Sequence, residues 1–559
     1  MIPGSFLGRH HLKIFFGCWL LLNLVQAAAT GLFDDEAYYW VYSRFLDWGY
    51  FDHPPMIALL IKMGYAIFPN EFGIRFFVAI ISTATIWLIR KLLDQKDDQL
   101  FYSIAISIAL LQLGGMIAVP DVPLLFFTTV FFLSYKHFVA NPSVRNGVFT
   151  GVAIALMLYS KYHGLLVIAF TLMSNPKLLV KPKTYIVAAT AALCLAPHIF
   201  WQYDNGFPSF QYHLKERIES SYDISYSLEY LLLQLLFVGP VASVVLLWSA
   251  YRRKPANELE RALKFCCFGF LGFFLLYTLR GNVEANWTFP AYIGLMVLSH
   301  QYLVTRQHLR KLVNTLAIIT FCIVCACRAY FAGLTPAYGI KQDEFFFNRD
   351  WARQIQKNAN GLQVFFIDSY QRAAKYWFYT GAPTYSLNTL DYRRNGFNFW
   401  QMEDSLFHKK MYGVYQGKHE KYFPDTIQTR KGLFLGKTFE DYFSFARVRL
   451  ISQGPLSGKQ NEKVGFQIRT KLDDVSLACI HPAFDTARIW IGAYTIDVDE
   501  PIIIPTTLTL KELVDKEQKL SGSVMLQLPK GNYTLRFGIT SCIDNWPTIN
   551  SSVSKLKVE

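Results

Sequence analysis

The stretch FDDEAYYWVYSRFLDWGYFDHPP, residues 33–55, sets five carboxylates (Asp34, Asp35, Glu36, Asp47 and Asp52) among aromatic rings, with Arg44 and His53 beside them. It follows a mostly apolar run of about 20 residues, Ile14 to Phe33, long enough to cross a bilayer. Asp35 and Glu36 open a helical pattern in which Asp35, Tyr39 and Ser43 recur at i+4 and so share a face. His53-Pro54-Pro55 stops that helix, because proline cannot continue one. The pattern predicts acidic groups held at a membrane surface beneath a short amphipathic helix. A solvated loop with helix-capping acids has the same composition, so the remainder of the chain has to decide.

The whole chain leans the same way. Its 559 residues are 52% hydrophobic and 16% aromatic, more apolar than a water-soluble protein of that length, which predicts a polytopic membrane protein. A formal charge of +14 invites a nucleic-acid reading. The basic residues instead gather in short loops between apolar runs, as the positive-inside rule requires, so no nucleic-acid partner is expected. The first apolar run is full length and has no clean small-residue cleavage site, so it is expected to remain as a span. Seven of nine cysteines fall in apolar runs and read as small packing residues. The other two, Cys479 and Cys542, are expected to pair in an oxidising compartment.

About eleven spans are expected, over 14–33, 72–89, 100–119, 122–139, 147–160, 163–175, 185–201, 228–250, 263–280, 288–305 and 312–332. With the N-terminus inside, Arg90/Lys91/Lys96, Lys136/Arg145, Lys177/Lys181/Lys183, Arg252/Arg253/Lys254 and Arg306/Arg310/Lys311 all face the cytoplasm. Fusing the short spans 147–160 and 163–175 would invert everything downstream, so two spans with Lys161 in the bend are preferred. The same parity collects the unusual loops on the outer face. These are 34–71, Pro120-Asp121, Ser160-Lys161-Tyr162-His163, 202–227 with His213 and Arg217, and the loop holding Glu284, Asn286 and Trp287. Ionisable residues at the mouths of spans are costly unless they serve a site, and five such loops on one face predict a composite one.

Carboxylates and cations at a membrane boundary suit a reaction on a lipid-linked substrate. Asp35 suits a general base toward a hydroxyl, with Asp34 and Glu36 as its companion carboxylates. Lys161, His53, Arg75 and Arg217 suit the neutralisation of a departing phosphate. The aromatics of 38–51 suit a sugar ring or a lipid groove, or simply an interfacial belt. One Asp-rich loop serves base or metal ligand equally well, which leaves a divalent metal open.

The Asp35-Glu36 pair after the first span, Tyr50-Phe51-Asp52-His53-Pro54, Pro120-Asp121-Val122-Pro123 and Glu284-Ala-Asn-Trp287 together resemble the GT-C membrane glycosyltransferases. Within these the similarity is to the protein O-mannosyltransferase superfamily and the lipid A aminoarabinose transferases. It covers roughly residues 10–300, with a weaker echo through Ser369 to Tyr379. The resemblance implies an inverting transfer from a polyprenyl-phosphate sugar donor to a protein or glycolipid acceptor on the outer face. It places the presumed base on Asp35, and it maps further family positions onto Glu36, Arg44, Asp121 and Lys161. Where the aminoarabinose transferases carry Tyr-Phe-Glu-Lys-Pro, this chain has Asp52 and His53, so the lysine thought to meet the lipid phosphate is replaced.

Beyond about residue 335 the chain reads as an extracytoplasmic appendage. QVFFID (363–368) predicts a strand and Ser369 to Tyr379 a helix. From about 430, VGFQIRT, ARIWIGAYTI, GSVMLQL and NYTLRFGI alternate as strands of a β-sandwich. The expected architecture is therefore a mostly α-helical GT-C-type domain over 1–334, an α/β segment over 335–429 and a β-sandwich over 430–559. The expected function is that of a glycosyltransferase of the cell membrane, surrounded by membrane lipids. The rival is a transporter or flippase of lipid-linked sugars, which should show repeat symmetry and polar groups near mid-membrane.

Overall fold

The computed structural model describes residues 6–216, 222–334, 344–417, 420–472, 487–495, 500–512, 517–543 and 546–559. Two compact units emerge, one formed by residues 1–206 and 222–341, the other by 207–221 and 342–559. Cys479 and Arg217 lie outside the described residues.

The first unit is helical. It begins with α1 (Phe6–Ala29), α2 (Asp34–Arg44), α3 (Met56–Ile67) and α4 (Glu71–Leu92). It continues with α5 (Asp98–Ser107), α6 (Ala109–Gly114), α7 (Asp121–Ala140), α8 (Val144–Ser160), α9 (Gly164–Ser174) and α10 (Pro182–Asp204). After the four-residue α11 (Pro208–Gln211), which belongs to the second unit, come α12 (Ile224–Val238), α13 (Ser243–Arg252), α14 (Glu258–Tyr277), α15 (Ala291–Leu303) and α16 (Gln307–Phe331).

Every expected span is occupied by helix, but not every one is a full-length helix. Among the described residues six helices are long and apolar enough to cross a membrane, namely α1, α4, α7, α10, α14 and α16. The 228–250 span is a pair, α12 and α13, bent by 90°. The 100–119 span is broken between α5 and α6 at Ile108. These two breaks meet. Gly239, at φ 156°, lies so close to Ser107 that a Cβ there would sit 2.4 Å from the Ser107 carbonyl oxygen. Only glycine fits that approach, and Pro240 after it cannot continue α12. The short pair 147–160 and 163–175 is two helices, with Lys161 capping α8. The loop expected over 34–71 contains a further helix, α3, whose Ile57, Ala58 and Ile61 are fully buried.

The second unit holds α17 (Asn348–Asn358), α18 (Tyr370–Thr380) and two sheets. Strands β1 (Gln363–Ile367), β2 (Tyr385–Leu387), β3 (Met411–Tyr415), β4 (Asp425–Thr429) and β5 (Gly432–Phe439) form a five-stranded sheet ordered β2-β1-β3-β5-β4. It runs across the boundary expected at 429/430, because β4 and β5 are one antiparallel hairpin. The other sheet contains β6 (Arg449–Ser452), β7 (Leu456–Gly458), β8 (Lys463–Lys471), β9 (Arg488–Tyr494) and β10 (Ile502–Thr509). It is completed by β11 (Glu517–Met525), β12 (Gly531–Ile539), β13 (Thr548–Ile549) and β14 (Ser554–Val558). Its order, β6-β8-β11-β10-β9-β12-β14-β7, puts three strands between β8 and β12. Yet Phe466 on β8 and Phe537 on β12 meet with ring centroids 5.2 Å apart. The sheet therefore folds over itself, and the inward-facing alternate residues of both halves make one core. Leu390 donates to Pro547 O at 2.9 Å and Ile549 to Asn388 O at 3.1 Å, which stitches the two sheets together.

Candidate active site

The acidic stretch folds as predicted into a helix, α2, but not one lying loose on a surface. Residues 36–43 are all buried. Glu36, at the third helical position, accepts from Phe33 N at 3.0 Å, the acidic half of a capping box. Its other oxygen accepts from Ala118 N at 2.7 Å and from Arg75 Nε at 2.7 Å. Arg75, from the first turns of α4, spends every donor it has. Nε and one Nη2 hydrogen go to Glu36, the other to Gly31 O at 2.8 Å, and Nη1 donates to Ala27 O at 3.1 Å and Thr30 O at 2.5 Å. Both residues are 0% exposed. In this structure every Arg75 donor and both Glu36 oxygens are engaged within the protein, where they fasten the end of α1, the start of α2 and the loop before α7.

Asp34 and Asp35 occupy the first turn of α2 and are half-buried. The rest of the loop is knitted from its own aromatics. Tyr42 and Tyr50 stack at 4.0 Å, and the Tyr50 hydroxyl donates to Tyr42 O at 3.0 Å. The Tyr42 hydroxyl donates to Asp52, and burial, with that carboxylate next, pushes its pKa well up. Asp52 is thus a buried acceptor for a tyrosine. His53 stands edge-on to Tyr39 at 5.5 Å. Arg44, at the end of α2, is exposed and lies over Trp40 at 5.8 Å.

A second cluster forms where three loops converge. Lys161, in the bend after α8, reaches the Asp121 carboxylate at the head of α7 at 2.7 and 2.9 Å. Asn286 donates to the same carboxylate at 2.9 Å. Lys161 is 5% exposed and Asp121 2%. The three come from positions up to 165 residues apart, and the sequence had placed all of them in one composite site. Trp287 beside Asn286 is buried against Phe274 at 5.4 Å and His163 at 5.5 Å, so it packs the wall. Glu284 is exposed.

Residues from within an expected span complete the constellation. On α10, the His198 ring donates through Nδ1 to Trp48 O at 2.7 Å, since a carbonyl only accepts. Its Nε2 lies 3.1 Å from the Tyr162 hydroxyl, which also accepts from Gln202 Nε2 at 3.1 Å. Trp201 Nε1 donates to Asp47 at 2.7 Å. Gly49 lies against the Trp201 ring so closely that a Cβ would come within 2.5 Å of it. One end of α10 thereby fastens the 47–49 segment of the acidic loop to the Lys161-Tyr162 bend. The sequence carried a signal for this: His198 and Gln202 stand at i and i+4, polar on one face of an otherwise apolar helix.

Beside this tether opens an apolar cavity of about 480 Å³, lined by Leu46, Trp48, Met56, Leu59, Leu156 and Tyr159. Among the described residues no three His, Cys, Asp or Glu side chains converge as a metal-ligand set. His213 belongs to the second unit, with its ring edge-on to Tyr212 at 5.0 Å.

The comparisons with known proteins fall on this region. Residues 52–201 match the family described as dolichyl-phosphate-mannose-protein mannosyltransferase. The chain is 28% identical over 301 residues to the lipid A galacturonosyltransferase RgtD of Rhizobium johnstonii, a match covering 51% of this chain and 63% of that protein. The fold is that of ArnT from Cupriavidus metallidurans. Its crystal structure bound to undecaprenyl phosphate superposes with a TM-score of 0.57 at 13% identity, over 77% of this chain and 98% of that one. The apo crystal structure gives 0.57 at 12% identity, with the same coverage. The architecture is therefore a multi-pass GT-C membrane fold with a β-rich C-terminal region.

Proposed function

We propose that this chain is a membrane glycosyltransferase that moves a sugar from a polyprenyl-phosphate donor to an acceptor hydroxyl or phosphate on the outer face of the membrane. The observation that carries the reading is the tether just described. Trp48, which lines the apolar cavity, is bonded through His198 to Tyr162, next in the chain to the buried ammonium of Lys161. An isoprenoid chain and a phosphate need such neighbours, an apolar groove and a cation. The resemblance to RgtD and to the mannosyltransferase family supports transfer of a glycosyl group, and the ArnT complex supports a polyprenyl phosphate as the carrier.

In this reading Asp35 takes the proton from the acceptor hydroxyl as its oxygen attacks the anomeric carbon. The bond from that carbon to the phosphate oxygen breaks, and the leaving phosphate gains a negative charge. Lys161 has one ammonium hydrogen beyond the two given to Asp121, and it offers that hydrogen to the new charge. Asp121 and Asn286 hold the ammonium in place. Every step uses the chain's own side chains.

RgtD supports an envelope glycolipid as acceptor and the mannosyltransferase family a protein. The test supplies membranes containing the chain with a panel of polyprenyl-phosphate sugars, then lipid A or peptide, and measures released polyprenyl phosphate. Release that depends on acceptor is the expected result. Donor that crosses the bilayer with its sugar still attached would replace this reading with the flippase. Against that rival, the ion pairs described above sit at the ends of helices, not at mid-span.

A further inference from the structure

We propose that the groove between α1 and α4 is a binding site for an anionic phospholipid, separate from the site for the lipid-linked donor. The groove is a cavity of about 470 Å³ lined by Leu12, Lys13, Phe16 and Leu20 from α1 and by Ile80, Thr83, Ala84 and Trp87 from α4. Its shape follows from the sequence. Leu12, Phe16 and Leu20 recur at i+4 and form one ridge, while Thr83 and Ala84 are small and leave the facing floor low. The Thr83 hydroxyl is spent on Ala79 O at 3.0 Å, so the floor offers nothing polar. Both helices are long and apolar enough to cross a membrane, and much of α1 is not covered by protein. An acyl chain is the natural occupant of such a channel.

Charge at one end selects which lipid. The two helices run past each other so that Lys13, early in α1, and Trp87, late in α4, line the same groove. One turn beyond, the Lys91 ammonium lies 3.6 Å from the centre of the Trp87 ring. Both lysines are exposed, and among the described residues neither has a carboxylate partner. Their neighbours differ: Arg90 is held by Asp98 at 2.6 Å and Lys136 by Asp94 at 2.8 Å. Two ammonium groups with no carboxylate partner among the described residues, over an apolar channel, match a phosphate with an acyl chain below it. Lysine reaches such a headgroup from within a span because its stem lies along the apolar surface while the ammonium extends outward.

The experiment uses the full chain in detergent and follows bound lipid by native mass spectrometry, with phosphatidylglycerol and phosphatidylcholine of identical acyl chains. Phosphatidylglycerol is expected to be retained preferentially. Lys13→Gln with Lys91→Gln removes that preference, roughly fivefold for each lysine and about 30-fold for both, and leaves phosphatidylcholine retention as it was. The doubly arginine-substituted chain keeps the preference. Ala84→Trp fills the floor and lowers retention of both lipids. An unchanged preference in the double glutamine variant overturns the proposal, as does unchanged retention in Ala84→Trp. Displacement by water-soluble glycerol phosphate would assign the lysines to free phosphate and overturn the lipid. Thermal melting of each variant shows that the fold is retained; these side chains face outward, so no buried charge is left behind.

Discussion

Glu36 and Arg75 stand 39 residues apart in the chain and meet as a two-point ion pair with neither side chain exposed. All five Arg75 donors are consumed, three of them by the carbonyls of Ala27, Thr30 and Gly31. The pair thus binds the end of the first span to the acidic helix, and it separates two adjacent carboxylates by role. Glu36 holds the helix down, and Asp35, one residue earlier in the same turn, is the base in the function proposed above.

That separation is testable. Removing one partner of a buried pair leaves the other charge uncompensated, which costs about 3–5 kcal/mol. Glu36→Gln and Arg75→Met are therefore expected to lower the melting temperature and the yield of folded protein. Asp35→Asn should leave melting unchanged and cut turnover by about 100-fold, the usual contribution of a general base. A Glu36→Gln chain that melts normally yet fails to turn over would make Glu36 the reacting group instead.

Lys161 is predicted to act on the donor. Lys161→Ala should raise the donor concentration for half-maximal rate more than it lowers the maximal rate, and Asp121→Asn should act in the same direction by freeing the ammonium to move. The assay is a donor titration at saturating acceptor. If only the maximal rate falls, Lys161 does not hold the phosphate.

The reach of the sequence can be judged from these same residues. Apolar runs located the helices, since a span must satisfy its backbone internally and so declares itself by composition. Parity and charge then gathered Asp121, Lys161 and Asn286 into one site, where the structure finds them bonded. What composition could not supply was partner identity. Arg75 read as a phosphate ligand because its five acceptors come from 39 to 48 residues away, three of them backbone carbonyls and two the oxygens of Glu36, a residue assigned elsewhere. The helix α3 went unread because Met56–Ile67 is short and directly follows two prolines, which look like a loop. The break at Gly239-Pro240 went unread inside the span expected over 228–250, and its contact with the Ser107 carbonyl depends on a second break 132 residues earlier in sequence, between α5 and α6.

In the second unit a pH effect is expected at Asp368. This carboxylate follows β1 with φ 52°, and burial pushes its pKa from 3.8 up to about 7, against two hydrogen bonds from Thr389 at 2.7 Å that favour the charged form. The folded chain then holds a proton that the unfolded chain has lost. Stability from this group is full at roughly pH 4 and declines as pH rises toward 7, beyond which it is flat. The protection of residues 387–391 in the intact protein, taken as exchange relative to the intrinsic base-catalysed rate at each pH, should fall across that range. Asp368→Asn should flatten the dependence of protection on pH; protection that grows with rising pH would reverse the sign.

The tether at His198 yields the sharpest prediction. Because Trp48 O can only accept, Nδ1 carries the hydrogen, and the neutral ring presents Nε2 as an acceptor to the Tyr162 hydroxyl. His198 touches neither proposed reacting group; it fixes the distance between the loop bearing Asp35 and the bend bearing Lys161. Its loss should therefore misplace the donor phosphate relative to the base, and a misplacement of about 1 Å can cost on the order of 100-fold in rate. His198→Ala is expected to lower the maximal rate and raise the donor requirement together, with Asp35 and Lys161 intact. His198→Asn keeps a donor near the position of Nδ1, so it should restore the bond to Trp48 and recover part of the rate. Tyr162→Phe leaves the bond to Trp48 in place while removing the hydroxyl's bonds to His198 and Gln202, and should cost less than His198→Ala. A general loss of stability would move all three variants in melting temperature and none selectively in rate. If His198→Asn is as slow as His198→Ala while both melt like the parent chain, the link to Trp48 is not what positions the site.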